Sequence, residues 1–233
     1  MRTHDTVLIG LAAAATAVMG YVAVMAATPG SDKQNFVDPV AGWSDEQKQA
    51  LVDQTHRREL DFVEEFVKSK RDPRSLPKAP IESSYVLLPK SIEESVELTS
   101  LVVRGRVTRV TYEGFDDGRL PHSLAEVQTI ATIKGRHVSS ITVMQLGGPV
   151  PGGADGKGVL MYLDADELLL PGDEVILLLN EGGDGTWSPQ AATGIYSVRD
   201  GRIATQALNP FGADVVGSAT DRLMGRLVAA ASP

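Results

Sequence analysis

The chain has 233 residues, a formal net charge of −8 and no cysteine. The missing thiols exclude a disulfide framework, a lipid-modified cysteine and a thiol nucleophile. The acidic balance opposes binding to phosphate backbones and anionic membrane surfaces, while a hydrophobic share of 42% suffices for a globular core.

In chain order, the first element is VLIGLAAAATAVMGYVAVMAA, Val7 to Ala27, which carries no charge. At about 1.5 Å per residue, such a helix reaches across the ~30 Å hydrocarbon core of a bilayer. Two readings stand side by side. As an uncleaved anchor, the run exceeds the ~7–15 residues of a signal h-region. As a signal peptide, it has Arg2 in a positive n-region and small residues before a cut, with Val24 and Ala26 in the positions that are read. A buried soluble helix is disfavoured because the run has no polar face. Arg2 on one side and Lys33 and Lys48 on the other fix no orientation by the positive-inside rule, and the C-terminal bulk is expected outside. Residues 1–28 are thus read as a signal anchor or signal peptide. The lipid bilayer is the partner of this N-terminal helix, and the chain is expected at the cell membrane or secreted.

Residues 29–43 form a polar tether, and an amphipathic helix is predicted over 44–70. Ser44 and Gln47 make a capping box. Asp53 with Arg57 and Glu64 with Lys68 are i,i+4 pairs of favourable orientation. Only the second half carries an apolar stripe (Phe62, Val63, Phe66, Val67), so that half is expected to dock on the body. Residues 71–90 read as a proline-rich basic linker; KRDPRSLPKAP, 70–80, is expected to be extended. Ser91 with Glu94 signals a second capped helix, running to about Thr99.

The β domain is placed at 91–208. In LVVRGRVTRVTY, Val103 and Val107 share one parity and Val110 and Tyr112 the other, which predicts a bulge near Thr108 and a bend at Gly105. After a polar loop, 113–123, Ala125, Val127, Thr129, Ala131 and Ile133 are expected on one face of a second strand. Ile141 to Leu146 makes a third, followed by the glycine-rich loop GGPVPGGADGKG. Val159, Met161 and Leu163 make a fourth. EVILLLN, 174–180, is apolar on both faces and reads as the most buried strand. Asp200-Gly201 between YSVR and RIATQ is a type I′ hairpin signal. A terminal helix with Leu223, Met224, Leu227 and Val228 occupies part of 209–233.

Motifs for chemistry fail one by one. PGDEV, 171–175, is similar to a turn in signal-peptidase-like serine enzymes, but no matching serine segment accompanies it; a preformed turn with Asp173 capping the following amides is the simpler reading. Gly156-Lys157 is followed by Gly158 and preceded five residues earlier by Pro151, so no phosphate loop forms. A calcium loop starting at Asp164 would have Leu169 where glycine is needed and Val175 where glutamate is needed. His4, His56, His122 and His137 make no short metal pair, although His122 and His137 flank the second strand. No G-x-S-x-G elbow is present. No catalytic, cofactor-binding or metal-binding residue is assigned.

VVRGRVTRV, QTIATIKGR, ITVMQLGG, LLLPGDEVILLLN and TGIYSVRDGRI together resemble a recurring exported bacterial small β-barrel domain, over roughly 94–205. The resemblance implies a small antiparallel OB-like Greek-key barrel with flanking helices, similar in outline to tissue-inhibitor and netrin-type domains. The inhibitors act through an N-terminal cysteine that is missing here, so that activity does not carry over and no functional residue transfers. The expected function is a membrane-anchored or secreted non-enzymatic interaction module at the cell surface, with a protein or cell-envelope partner, no cofactor and no nucleic acid. The alternative is a membrane-tethered hydrolase with a site the motifs do not reveal. The expected contact loops carry Phe115, Asp116, Asp117 and Arg119, and Pro151, Asp155 and Lys157.

Overall fold

In the computed structural model the described residues are 7–9, 24–26, 42–81, 88–113, 121–152, 157–163, 168–182, 184–190, 193–204 and 209–232. The expected membrane helix over 7–27 lies outside them, apart from a short antiparallel ladder of β1 (Val7–Ile9) with β2 (Val24–Ala26). Among the described residues no helix is long and apolar enough to cross a membrane. The remaining elements are α1 (Asp45–Lys68), β3 (Lys78–Ile81), α2 (Ile92–Glu97), β4 (Leu101–Glu113), β5 (His122–Lys134), β6 (Ser140–Val150) and β7 (Val159–Leu163). They continue with β8 (Glu174–Glu181), β9 (Trp187–Pro189), β10 (Ile195–Arg199), β11 (Arg202–Ala204), α3 (Gly212–Val215) and α4 (Thr220–Ala231).

Five strands close into a barrel in the order β4-β5-β6-β9-β8. All neighbours are antiparallel except β6 and β9, which meet through one parallel bridge, Val143 to Trp187. The hairpin β10–β11 adds to the second edge of β8, and β7 and β3 extend the far end of β6. Alternation explains why β8 is apolar on both faces. Val175, Leu177 and Leu179 point into the barrel with Leu101, Val103, Val127 and Val143, whereas Ile176 and Leu178 point outward to a second core. That second core holds Ile92 and Val96 of α2, Tyr196, Ile203 and Leu223 and Leu227 of α4. The leucine run at 168–170 is buried as well: Leu169 joins the barrel interior and Leu168 the layer beneath α1.

The irregularities of β4 and β5 coil the sheet. The β4–β5 register shifts between Val107 and Arg109, leaving Thr108 as the bulged residue that the parity change predicts. Gly105 lies where a Cβ would stand 2.5 Å from Val127 Cγ1 and 2.9 Å from the Gln128 carbonyl oxygen, so no side chain fits. The single-face expectation for β5 is corrected. Two further register shifts leave Ile130 and Ile133 as extra residues, and each reverses the parity. Ala125 and Val127 stay inside, but Ala131 pairs with Arg104 on the outer face and Ile133 packs on the second core.

The expected third strand is also longer than its apolar alternation. β6 continues through Gly147–Val150, which pair with Tyr162–Val159 of β7 and are buried. Gly147 has φ +117°, and a Cβ there would meet the Met161 carbonyl oxygen. The first third of the expected glycine-rich loop, 147–150, is therefore strand. The basic stretch at 70–80 is extended for much of its length and built into the fold. It makes a 3₁₀ turn (Pro73–Ser75) capped by Asp72, then β3, parallel to β7. Lys78 and Pro80 on this outermost strand discourage further pairing.

α1 opens with the capping box of Ser44 and Gln47 and ends at Lys68 with Ser69 as its C-cap; Lys70, just beyond, has φ +52°. Phe66 and Val63 are buried, while Val67 stays half exposed. Asp53 accepts from Gln49 Nε2 at 2.9 Å, so the expected Asp53–Arg57 pair does not form; Glu64 and Lys68 do pair. In α2, Ser91 caps the Glu94 amide, but Glu94 reaches the Lys90 amide instead of closing the box. The Asp200-Gly201 turn has φ +51° and +70°, as its type requires.

One cation joins the barrel to the helical layer. Lys134 Nζ donates to the carbonyls of Val96 (2.6 Å), Glu97 (3.1 Å) and Thr99 (2.7 Å), capping the C-terminus of α2. A positive charge there also interacts favourably with the negative end of the helix dipole. Lys134→Met should strand these carbonyls and cost about 1–3 kcal/mol. Urea unfolding of the two chains measures it, and unchanged stability would refute the clamp.

Candidate functional site

The polar positions of β5 and β6 build a surface that the apolar positions only support. Ala125, Val127, Ile141 and Val143 point inward, so Glu126, Gln128, Ser140 and Thr142 point outward. Glu126 lies opposite Thr142, and Gln128 opposite Ser140. At this end of the barrel, the β5–β6 loop (Arg136, Val138) meets the β8–β9 turn (Gly185) and Trp187. Together with Thr108 they enclose a cleft of about 440 Å³. Its lining carries hydroxyls, an amide, a carboxylate and a guanidinium, with Val127, Ile141 and Trp187 buried behind them and Val138 partly exposed.

Electrostatics divide these groups. Glu126 Oε1 is paired with Arg109 Nη2 at 2.6 Å, and Thr108 Oγ1 donates to the Glu126 carbonyl at 3.1 Å. Arg136 faces Glu181 across the mouth at 3.8 Å, outside hydrogen-bonding distance, with both side chains largely exposed. The β8–β9 turn is stiffened by Asp184, which accepts from the Thr186 hydroxyl (2.6 Å) and amide (3.0 Å). These bonds hold its carboxyl below the usual range. The cleft can hydrogen-bond neutral polar groups and hold one anion.

A second, more open groove of about 680 Å³ lies between α1 and the end of β6. Gln54, Arg57, Arg58, Asp61 and Glu65 line it beside Phe62, Pro151 and Gly152. Of the expected contact residues, it brings in only Pro151. Lys157 is exposed nearby, its carbonyl accepting from Arg71 Nη1 at 3.3 Å. Phe115, Asp116, Asp117, Arg119 and Asp155 lie outside the described residues, as do Asp164 to Glu167. His122 and His137 do not approach each other. His122 opens the thirteen-residue β5 and His137 follows its far end, and His122 Nε2 lies 2.7 Å from Glu113 Oε2 instead.

Asp173 acts backwards along the chain, contrary to the capping expected of it. Oδ2 accepts from the preceding Leu170 amide at 2.9 Å, and Oδ1 from Arg74 at 2.5 Å. Burial pushes two tyrosines up to about 12: Tyr112, edge-on to Phe66, and Tyr196 in the second core. Both are packing residues. The residues that sequence reasoning passed over are Gln128, Arg136, Ser140 and Thr142. For Gln128, Ser140 and Thr142 the signal is the polar half of the same alternation that marks the core; Arg136, in the loop, has no local signal.

No protein-family model matches this chain, and no curated protein matches it.

The outer wall beside the cleft is held by a shared carboxylate. Glu174 Oε1 accepts from Arg104 Nε (2.9 Å) and Nη2 (2.5 Å), and Oε2 from Arg106 Nη2 (3.1 Å). The Arg104 bonds, more than Arg106, hold its carboxyl below the usual range against the opposing effect of burial. A depressed folded-state value adds stability above the unfolded carboxylate range and loses it as pH falls through the folded value. Glu174→Gln should therefore unfold more easily at pH 7, and the difference should shrink below about pH 4. Thermal unfolding from pH 7 to pH 3 tests this; a constant gap would refute it.

Proposed function

We propose that the protein is a non-enzymatic binding module built on an OB-like barrel and that it takes its ligand at the barrel mouth. The observation that carries the reading is the five-strand ring. It sets the second and third strands side by side and brings the last turn of the ring against them, as in OB-like Greek-key barrels. Barrels of that type bind on this sheet face and its bordering loops. The cleft of Glu126, Gln128, Arg136, Ser140 and Thr142 occupies that place and has a volume typical of small-ligand sites, roughly 300–1,000 Å³.

The uncharged run Val7 to Ala27 supports the second half of the proposal. It carries the module to the cell membrane as an anchor, or out of the cell as a cleaved leader, with the barrel outside and a protein or cell-envelope component as its partner.

Thr142→Arg fills the cleft from an outward position. The full-length chain and this variant, in neutral detergent, are each incubated with cell-envelope extract, and retained material is compared. The variant should lose most of the ligand retained by the parent while keeping the same Tm. Equal recovery would overturn the site, and turnover of the retained ligand would overturn the non-enzymatic reading. N-terminal sequencing with external protease treatment of intact cells tests export; a protected barrel would overturn it.

A further inference from the structure

We infer that the barrel mouth is selective for a saccharide bearing one carboxylate, with Arg136 as the residue that determines this selectivity. The inference rests on the binding site proposed above.

The walls are first of all a hydroxyl and amide surface. Gln128, Ser140 and Thr142 make no side-chain hydrogen bond among the described residues, so their donors and acceptors are open to a polyhydroxylated ligand. Of the apolar lining only Val138 is partly exposed, and it offers contact to a C–H face of a sugar ring. Trp187 is only 6% exposed, so it provides no free face on which a nucleobase can stack. A peptide added as a strand needs an open sheet edge, but β5 and β6 are already paired to each other at the mouth, through Gln128 and Ser140.

Charge then narrows the class. Arg109 and Arg136 face Glu126 and Glu181, so each of these cations has a carboxylate partner. The two pairs are unequal: Glu126 is hydrogen-bonded to Arg109 at 2.6 Å, while Glu181 stands 3.8 Å from Arg136. An exposed pair of that kind contributes little, and a ligand can displace it. The planar guanidinium fork of Arg136 matches a carboxylate with two parallel hydrogen bonds, a geometry that lysine lacks. One exchangeable cation suits a monoanion, which replaces Glu181 at Arg136 charge for charge; a phosphate dianion would bring a second negative charge with no further cation to meet it.

The test titrates the full-length chain, in neutral detergent, with three probes by calorimetry. These are a glucose disaccharide, the same disaccharide with one glucuronic acid, and an N-acetyl dipeptide with a free C-terminal carboxylate. The acidic disaccharide should bind at least about tenfold more tightly than the neutral one. Arg136→Gln should abolish that difference by weakening the acidic sugar far more than the neutral one, and Arg136→Lys should restore it only in part. Glu181→Gln, which removes the competing carboxylate, should tighten the acidic sugar severalfold.

Equal binding of the two sugars, or no effect of Arg136→Gln, would overturn the inference. If Thr142→Arg still blocked both sugars, the reading of the site would survive that result. Equal or tighter binding of the dipeptide would overturn the saccharide class, and absence of binding by either sugar would overturn the inference outright. The recovery experiment with envelope extract decides separately whether the site itself stands.

Discussion

The double-sided burial of β8 is the constraint on which the architecture depends. Val175 to Leu179 are fully buried, and consecutive side chains enter different cores. Its edges are occupied as well. β4 covers one, while β10 and then β9 share the other. A strand without a solvated face or a free edge cannot shift by one residue, because the shift would exchange the two cores. The barrel, the β10–β11 hairpin and the α2–α4 layer therefore share one register, and Lys134 adds a polar tie between the same two layers.

That arrangement leaves the Glu126–Gln128 part of β5 and the Ser140–Thr142 part of β6 with a solvated outer face. Their inward neighbours satisfy the core, so these outward residues are free of packing duties. The barrel also closes next to them at its thinnest point, the single bridge between Val143 and Trp187. A three-residue strand cannot cover the whole of β6, and the uncovered end of the ring, roofed by the β5–β6 loop and the β8–β9 turn, is the cleft. The opposite end is filled instead: Leu169 enters the interior, and its amide is held by Gln145 Oε1 at 2.9 Å.

The sequence made the locally encoded features legible. Ser44 with Gln47, the parity change at Thr108, the two-faced EVILLLN run and Asp200-Gly201 each require only neighbouring residues to be read, and each recurs in the structure. What stayed hidden depends on partners distant in sequence. β9 has three residues and includes Pro189; β3 includes Pro80; the Gly147–Pro149 part of β6 has no alternation at all. Proline and glycine mark turns on local grounds, and only pairing with β7 or β8 overrules them. The bulges at Ile130 and Ile133 were invisible for the same reason, since apolar residues occupy both parities there. The cleft combines both problems. Its strand residues are readable as the polar half of β5 and β6, but nothing local brings Arg136 and Gly185 to the same place.

Charge follows a similar division between frame and mouth. Along the outer face of β4, Arg104, Arg106 and Arg109 meet Glu174 and Glu126 on the two flanking strands. These cross-strand contacts are short, and the frame they join is rigid, so their charges are largely cancelled in place. Arg136 and Glu181 sit instead on a loop and at a strand end, further apart and more exposed. Changing either one alters the field at the mouth without removing a contact that holds the barrel. The acidic excess of the whole chain thus says little about this surface. A face on a protein of net charge −8 can still select an anion where one carboxylate is held by a short contact and the other stands off from its guanidinium.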